Sequence, residues 1–204
     1  MKKIIVSGVV VFLSLAGVAH AAGDAAAGQE KSAMCAGCHG ADGNSMVPTF
    51  PNLAGQGEKY LVKQIADFKG MATRKNDTMT GMAMTIATDQ DVADLAAFYA
   101  AQTLNSTAVA DESKLAKGRE IYKGGNLQTG VPACQGCHGP TGAGNDAAGY
   151  PQLKGQHADY TMAQLRTFRD GSRSNDDRSV MRSALPRMTD DELEAVAHYI
   201  ASLK

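Results

Sequence analysis

All four cysteines of the chain fall into two copies of one short pattern, Cys35-Ala36-Gly37-Cys38-His39 and Cys134-Gln135-Gly136-Cys137-His138. Spending every cysteine this way commits both motifs to one chemistry and both surroundings to one local fold. The repeat extends well past the cysteines. The stretch FPNLAGQGEKYLVKQIADFKG from Phe50 lies over YPQLKGQHADYTMAQLRTFRDG from Tyr150 at a constant offset of 100. Pro51, Leu53, Gly55, Gln56, Tyr60, Gln64 and Phe68 thus recur as Pro151, Leu153, Gly155, Gln156, Tyr160, Gln164 and Phe168. Further on, ATDQDVADLAAFYAAQ from Ala87 corresponds to MTDDELEAVAHYIASL from Met188, shifted by 101. A solenoid needs about three or more repeats of 20 to 50 residues, so two long copies signal a duplicated domain instead. The halves are read as residues 22–102 and 113–204, with a polar, small-residue linker at 103–112.

The N-terminus decides which cysteine chemistry is open. Lys2 and Lys3, the apolar run Ile4 to Val18, and Ala19 and Ala21 around His20 read as a secretory signal, so residues 1–21 are expected to be cleaved. The run falls short of the ~20 apolar residues that span a bilayer. Without the signal the chain carries 18 basic and 21 acidic side chains. That near-neutral balance excludes a nucleic-acid binder, which needs a basic stripe. No tryptophan and few aromatics make a thin core. Something other than side chains is expected to help fill it.

The patterning is helical throughout. Thr88 and Thr189 are N-caps by position, and Glu192 completes a capping box behind Thr189. Behind them Val92, Leu95, Ala96 and Tyr99, and Leu193, Val196, Ala197 and Ile200, keep helical spacing. Each half therefore closes with an amphipathic helix. Each also opens with one, bearing Gly28 or Gly118, where a missing side chain lets two helices cross closely. Tyr60 to Phe68 and Tyr160 to Phe168 supply a middle helix.

The employment of Cys-x-x-Cys-His follows by elimination. Zinc wants four converging Cys or His ligands, and each half offers two cysteines and one histidine at a spacing zinc modules do not favour. A thioredoxin-like pair would follow a strand in a βαβ pattern, which is missing here. A disulfide across three residues closes a trivial loop. What remains is haem c, one per half: Cys35 and Cys38, then Cys134 and Cys137, form thioethers, and His39 or His138 is held under the iron. A sixth ligand distinguishes a carrier from an enzyme with an open iron. His157 and His198 have no repeat partners and are read as surface or packing residues. Methionine is the alternative: Met79, Met82 and Met84 in NDTMTGMAMTIAT, and Met181 in NDDRSVMRSALPRMT, both between the middle and last helices.

The chain resembles the di-haem cytochrome c4 family, two class I cytochrome c domains in tandem, over nearly its whole length. The resemblance rests on AGDAAAGQ, CAGCHGADGNS, FPNLAGQGEKYL, MTGM and TDQD in the first half, and on YKGG, PACQGCHGPTG, GYPQLKGQHADY, FRDGSRSND and MRS in the second. It implies an all-α fold of two domains, each wrapped around one covalent haem. It further implies Met79 and Met181 as distal ligands, and Pro51 and Pro151 beside the proximal face with carbonyls that accept from the histidine rings. An offset of 99 sets Met82 opposite Met181. Counting back from the caps favours Met79 instead, nine residues before Thr88 where Met181 is eight before Thr189. Met82, Met84 and Met188 are then packing residues around the haems.

The function expected is one-electron transfer in the periplasm of a Gram-negative bacterium, by a monomer that makes and breaks no substrate bonds. The resemblance implies a cytochrome bc complex as donor and a terminal haem-copper oxidase as acceptor, with the carrier either free or peripherally associated with a membrane. The alternatives are a di-haem peroxidase, or the haem subunit of a sulfur-compound dehydrogenase.

Overall fold

The computed structural model describes residues 22–204, so the expected signal segment lies outside the described residues. Ten α-helices follow one another: α1 (Ala25–Lys31), α2 (Ala36–His39), α3 (Glu58–Gly70), α4 (Asp77–Met84), α5 (Asp89–Ala100), α6 (Glu112–Gly124), α7 (Gln135–His138), α8 (Ala158–Asp170), α9 (Val180–Ala184) and α10 (Asp190–Ser202). The described residues form no strands, only isolated bridges between Asn126 and Val131 and between Asn145 and Tyr150. The fold is all-α, and α1 to α5 recur as α6 to α10.

In each half the opening helix lies against the closing one. The contact point is a glycine: a Cβ on Gly28 would stand 2.0 Å from the Asp94 carbonyl oxygen, and one on Gly118 would stand 2.1 Å from that of Ala195. No larger residue fits without moving a backbone. The closing helices start at full capping boxes, Thr88 with Asp91 and Thr189 with Glu192. Asp91, one methylene shorter than Glu192, reaches back to the Thr88 N–H at 3.0 Å all the same.

The apolar cores are unequal. The first half buries Leu61, Leu95, Ala96, Phe98 and Tyr99 as its cluster, while the second buries eleven residues, among them Tyr122, Leu193 and Ile200. Cys35 lies at the edge of the first cluster; Cys134 and Met181 lie at the edge of the second.

The two halves meet face to face with their contacts returned in kind. The Asn52 N–H donates to Gln156 Oε1 and the Gln156 amide donates to the Asn52 carbonyl; Gln152 N–H and the Gln56 amide do the same at the related position. Gln56 and Gln156 are repeat equivalents, as are Asn52 and Gln152, so the interface has the form of a two-fold contact between copies of one surface. The segment joining α5 to α6 is strapped along this seam. Asn105 N–H donates to Asn44, Thr107 Oγ1 to the Ser45 carbonyl, and Asp111 N–H to His198 Nδ1.

Candidate haem sites

Both Cys-x-x-Cys-His motifs fold as a single helical turn, α2 or α7. Cys35 and Cys38, three apart, share one side of that turn, and His39 N–H returns to the Cys35 carbonyl at 3.0 Å. Cys134 and His138 repeat this bond at 3.0 Å. Gly40 and Gly139, both at φ +79°, then take the chain sharply out of the turn, a conformation that favours glycine. All four thiols are half-buried and unpaired. Burial pushes the Cys134 thiol up to about 11, and the Cys35 thiol rises for the same reason.

Both histidine rings are buried, and each places Nδ1 on a proline carbonyl: His39 on Pro51 at 2.9 Å and His138 on Pro151 at 3.0 Å. A carbonyl only accepts, so Nδ1 carries the proton. Burial also lowers both pKa values, against the opposing pull of the proline carbonyls, which keeps the rings neutral. A neutral ring protonated at Nδ1 leaves its lone pair on Nε2, ready for a metal.

Met79 and Met82 are both half-buried on α4, whose N-cap Asn76 accepts from the Met79 N–H at 2.9 Å. Met84, expected as packing, is instead 60% exposed, because α4 turns that side of the helix outward; Met188 is buried in the core of the second half. Met181 sits on the short helix α9 behind two residues with positive φ, Arg178 at 49° and Ser179 at 58°. Such backbone costs energy and persists when its surroundings over-determine it. Here Asp176 does so, accepting from Arg182 N–H at 2.9 Å and Arg182 Nε at 2.7 Å. Burial alone would raise the Asp176 carboxyl, but those donors outweigh it and hold it below its ordinary range.

The two remaining histidines among the described residues are packing groups. His157 is buried against the other half, its Nε2 donating to the Ser45 carbonyl at 2.9 Å, so the polar stretch around it is an interface rather than a surface. His198 is half-buried.

Sequence reasoning passed over one cluster. Arg74 and Arg173 are both buried at the seam, each with its guanidinium 4.3 Å from a ring centroid, that of Phe68 or Phe168. Arg74 donates to Gln64 and Gln164 and to the Tyr160 hydroxyl; Arg173 donates to the same two glutamines and to Tyr60. Neither makes an ion pair with a carboxylate among the described residues. Burial would raise the Tyr60 hydroxyl, but Arg173 and Arg74 outweigh it and hold it low, a mark of a strongly positive seam. The signal was present: Arg-x-Asn-Asp occurs at Arg74 and again at Arg173.

These residues fit haem. Two buried guanidiniums with no carboxylate at ion-pair distance among the described residues, Asp67 acting on Arg74 only through its field, suit a group that brings its own carboxylates, as haem does with its propionates. The Tyr99 hydroxyl, buried near Cys35, has no hydrogen-bond partner among the described residues. By contrast, no trio of His, Cys, Asp or Glu among the described residues is placed to hold a bare metal ion.

Comparison with known proteins agrees. The family model for cytochrome c matches residues 25–101 and again 115–204. Fold and motifs thus define a tandem pair of cytochrome c domains carrying two covalent haem c groups. Cytochrome c4 of Pseudomonas aeruginosa is 48% identical over 204 residues, all of both chains. The crystal structure of reduced recombinant cytochrome c4 from Pseudomonas stutzeri superposes with a TM-score of 0.85 at 47% identity, covering 90% of this chain and 100% of that one. The chain belongs to the cytochrome c4 family of di-haem electron carriers. A more distant relative, 37% identical over 180 residues (87% of this chain, 82% of that protein), is a thiosulfate dehydrogenase electron acceptor of Thiomonas intermedia.

Proposed function

We infer that the chain, exported to the periplasm and cleaved after Ala21, is a monomeric respiratory carrier that passes single electrons from a cytochrome bc complex to a terminal haem-copper oxidase. In this reading Cys35 and Cys38 tether the first haem and Cys134 and Cys137 the second. His39 with Met79, and His138 with Met181, are the axial ligands, while Pro51 and Pro151 fix the ring orientation. The observation that carries it is the pair of buried, neutral imidazoles, each pinned by Nδ1–H to a proline carbonyl. Haem, when bound, supplies reversible one-electron chemistry at its iron. The chain's part is to tether, orient and close both faces, and Met/His ligation raises the reduction potential. His157 and His198 are held in the seam and on the joining segment, by the Ser45 carbonyl and the Asp111 N–H, and neither has a repeat partner beside the other haem motif.

The test is a magnetic or optical spectrum of the oxidised protein as purified, then a peroxide assay after partial reduction. Both haems should be low-spin and peroxide should persist. A stable high-spin haem together with peroxide turnover would make the protein a di-haem peroxidase instead. The Thiomonas intermedia relative supports a second reading, acceptor for a thiosulfate-oxidising enzyme. Faster reduction by a thiosulfate dehydrogenase than by a cytochrome bc complex would favour it.

A further inference from the structure

The two halves differ most just before their cysteines. Cys35 stands seven positions after Gly28, but Cys134 stands sixteen after Gly118, so the second half carries nine extra residues at the approach to its motif. Part of the extra length prolongs α6 to Gly124, and the rest lies in a loop from Gly125 to Pro132 that is closed at its base and bare at its tip. At the base, Asn126 and Val131 exchange backbone hydrogen bonds of 2.8 and 3.0 Å, and Val131 is buried in the core. The Asn126 side chain accepts from Gln128 and Thr129 N–H and donates to Glu192 at 2.9 Å. Arg187 Nη1 donates to the Thr129 carbonyl at 3.0 Å, clamping the far side.

The tip holds Leu127 at 95% exposure, the highest among the exposed large apolar residues. Scattered exposed leucines need no explanation, but here the loop is braced from four sides and the side chain it presents makes no use of the bracing. Bracing lowers the ordering cost of a contact made later, which is how a preformed binding element gains affinity. Arg187, held on the Thr129 carbonyl, sets a positive charge beside the loop, and Lys123, exposed at the end of α6, stands four positions before Leu127 in the chain. The half that carries the loop has twelve basic and ten acidic residues over 113–204, against six and nine over 22–102.

We propose that the 125–132 loop is a docking finger through which the second haem site meets a redox protein whose receiving surface is an apolar pocket rimmed by carboxylates. The inference rests on the carrier reading above. One residue, Ala133, lies between the finger and Cys134, and Val131 at the finger's base belongs to the core cluster against which Cys134 packs, so a partner seated on the finger is held on the side of the molecule that bears this haem attachment. A lipid surface is the poorer occupant, since one leucine and two cations fall well short of what stable bilayer anchoring takes.

The experiment follows oxidation of the reduced full-length holoprotein by oxidase-containing membranes of the producing bacterium, over a range of ionic strength. Leu127→Ser should lower the second-order rate constant roughly tenfold, with midpoint potentials and the rate of oxidation by ferricyanide unchanged. Lys123→Glu should slow the reaction at low salt and flatten its salt dependence. Val109→Ser, at a residue 82% exposed between the halves, should do neither. A Leu127→Ser protein as fast as wild type, or a Lys123→Glu protein with unaltered salt dependence, overturns the finger while leaving the carrier intact. Co-sedimentation of wild type, but not Leu127→Ser, with phosphatidylglycerol vesicles would make the loop a lipid contact and also overturn it. If membranes leave the wild type reduced while ferricyanide oxidises it, the carrier reading fails and the finger fails with it.

Discussion

Arg74 and Arg173, ninety-nine residues apart in sequence, donate to one and the same atom: Gln64 Oε1 lies 2.5 Å from Arg74 Nη1 and 2.9 Å from Arg173 Nη2. Gln164 Oε1 receives the same pair at 3.4 and 2.7 Å. Two like charges thus share two neutral acceptors, an arrangement that needs anions nearby to be stable. Asp67, whose field reaches Arg74 and whose carboxylate accepts from Asn175 at 2.6 Å, meets part of that need; haem propionates, if bound at this seam, would supply the rest, and the same positive charge would then favour the reduced iron.

Arg173→Met should therefore lower at least one midpoint potential by tens of millivolts, as Coulomb's law gives for a unit charge at about 10 Å in a protein interior. It should also cost about 1–3 kcal/mol of stability through the partners left unpaired. Arg173→Lys keeps the charge but loses the planar fork, so it should recover most of the potential and little of the stability. A redox titration paired with thermal unfolding separates the two effects. Unchanged potentials in Arg173→Met would show that the guanidinium serves packing alone.

The duplication, the helical class and the haem chemistry were legible because each leaves a signature at fixed spacing: four cysteines, two threonine caps, an offset near 100. Gly28 and Gly118 were legible for a related reason, since a glycine inside an amphipathic helix costs stability unless a close crossing requires it. The seam was not. His157 and Gln156 sit in a polar stretch that reads as surface, and only the approach of the other half buries them. Burial of polar groups against a partner domain has no periodic signal, because the partners are a hundred residues away. Met84 misled in the opposite direction, its neighbours suggesting packing while its helix turns it to solvent.

Gly118→Ala tests the crossing of α6 and α10. The added methyl would fall 2.1 Å from the Ala195 carbonyl oxygen and 2.7 Å from Tyr199 Cβ, and both belong to the core-forming helix. Helices must separate to relieve such a clash, so a loss of about 3 kcal/mol or more is expected, at the upper end for overpacking. Chemical denaturation should show the second half unfolding at lower denaturant while the first is unaffected. A variant as stable as wild type would mean that the helices slide apart at little cost.

Met79→Ala and Met82→Ala distinguish two half-buried thioethers on the same short helix. If Met79 is the distal ligand, its removal opens one iron to added small ligands and shifts the optical spectrum, whereas Met82→Ala leaves the spectrum nearly unchanged. Met79 is the better-placed of the two for a fixed position, since its own N–H is held by the Asn76 cap. The reverse pattern would move the ligand one turn along α4.

Asp94 gives the halves different acid sensitivities. Its carboxylate accepts from Asp24 N–H at 2.9 Å, Lys31 Nζ at 2.5 Å and Gln90 Nε2 at 2.8 Å, tying α1 to α5. Those partners, the Asp24 N–H foremost, hold its pKa at about 2 against an ordinary 3.8. A carboxyl depressed in the folded state stabilises that state fully above its unfolded pKa, and the contribution disappears as pH falls through the folded one. The second half has Ala195 at the equivalent place by the offset of 101, and its Lys114 pairs instead with the more exposed Asp191 and Glu194. Protection of the α1 amides, taken relative to the intrinsic exchange rate at each pH, should accordingly hold down to about pH 4 and fall below it, while that of α6 changes less over that window. In Asp94→Asn the α1 amides should exchange faster already at neutral pH, with little further change on acidification. Parallel acid profiles for α1 and α6 in the wild type would show that the carboxylate is not what fastens the first helix.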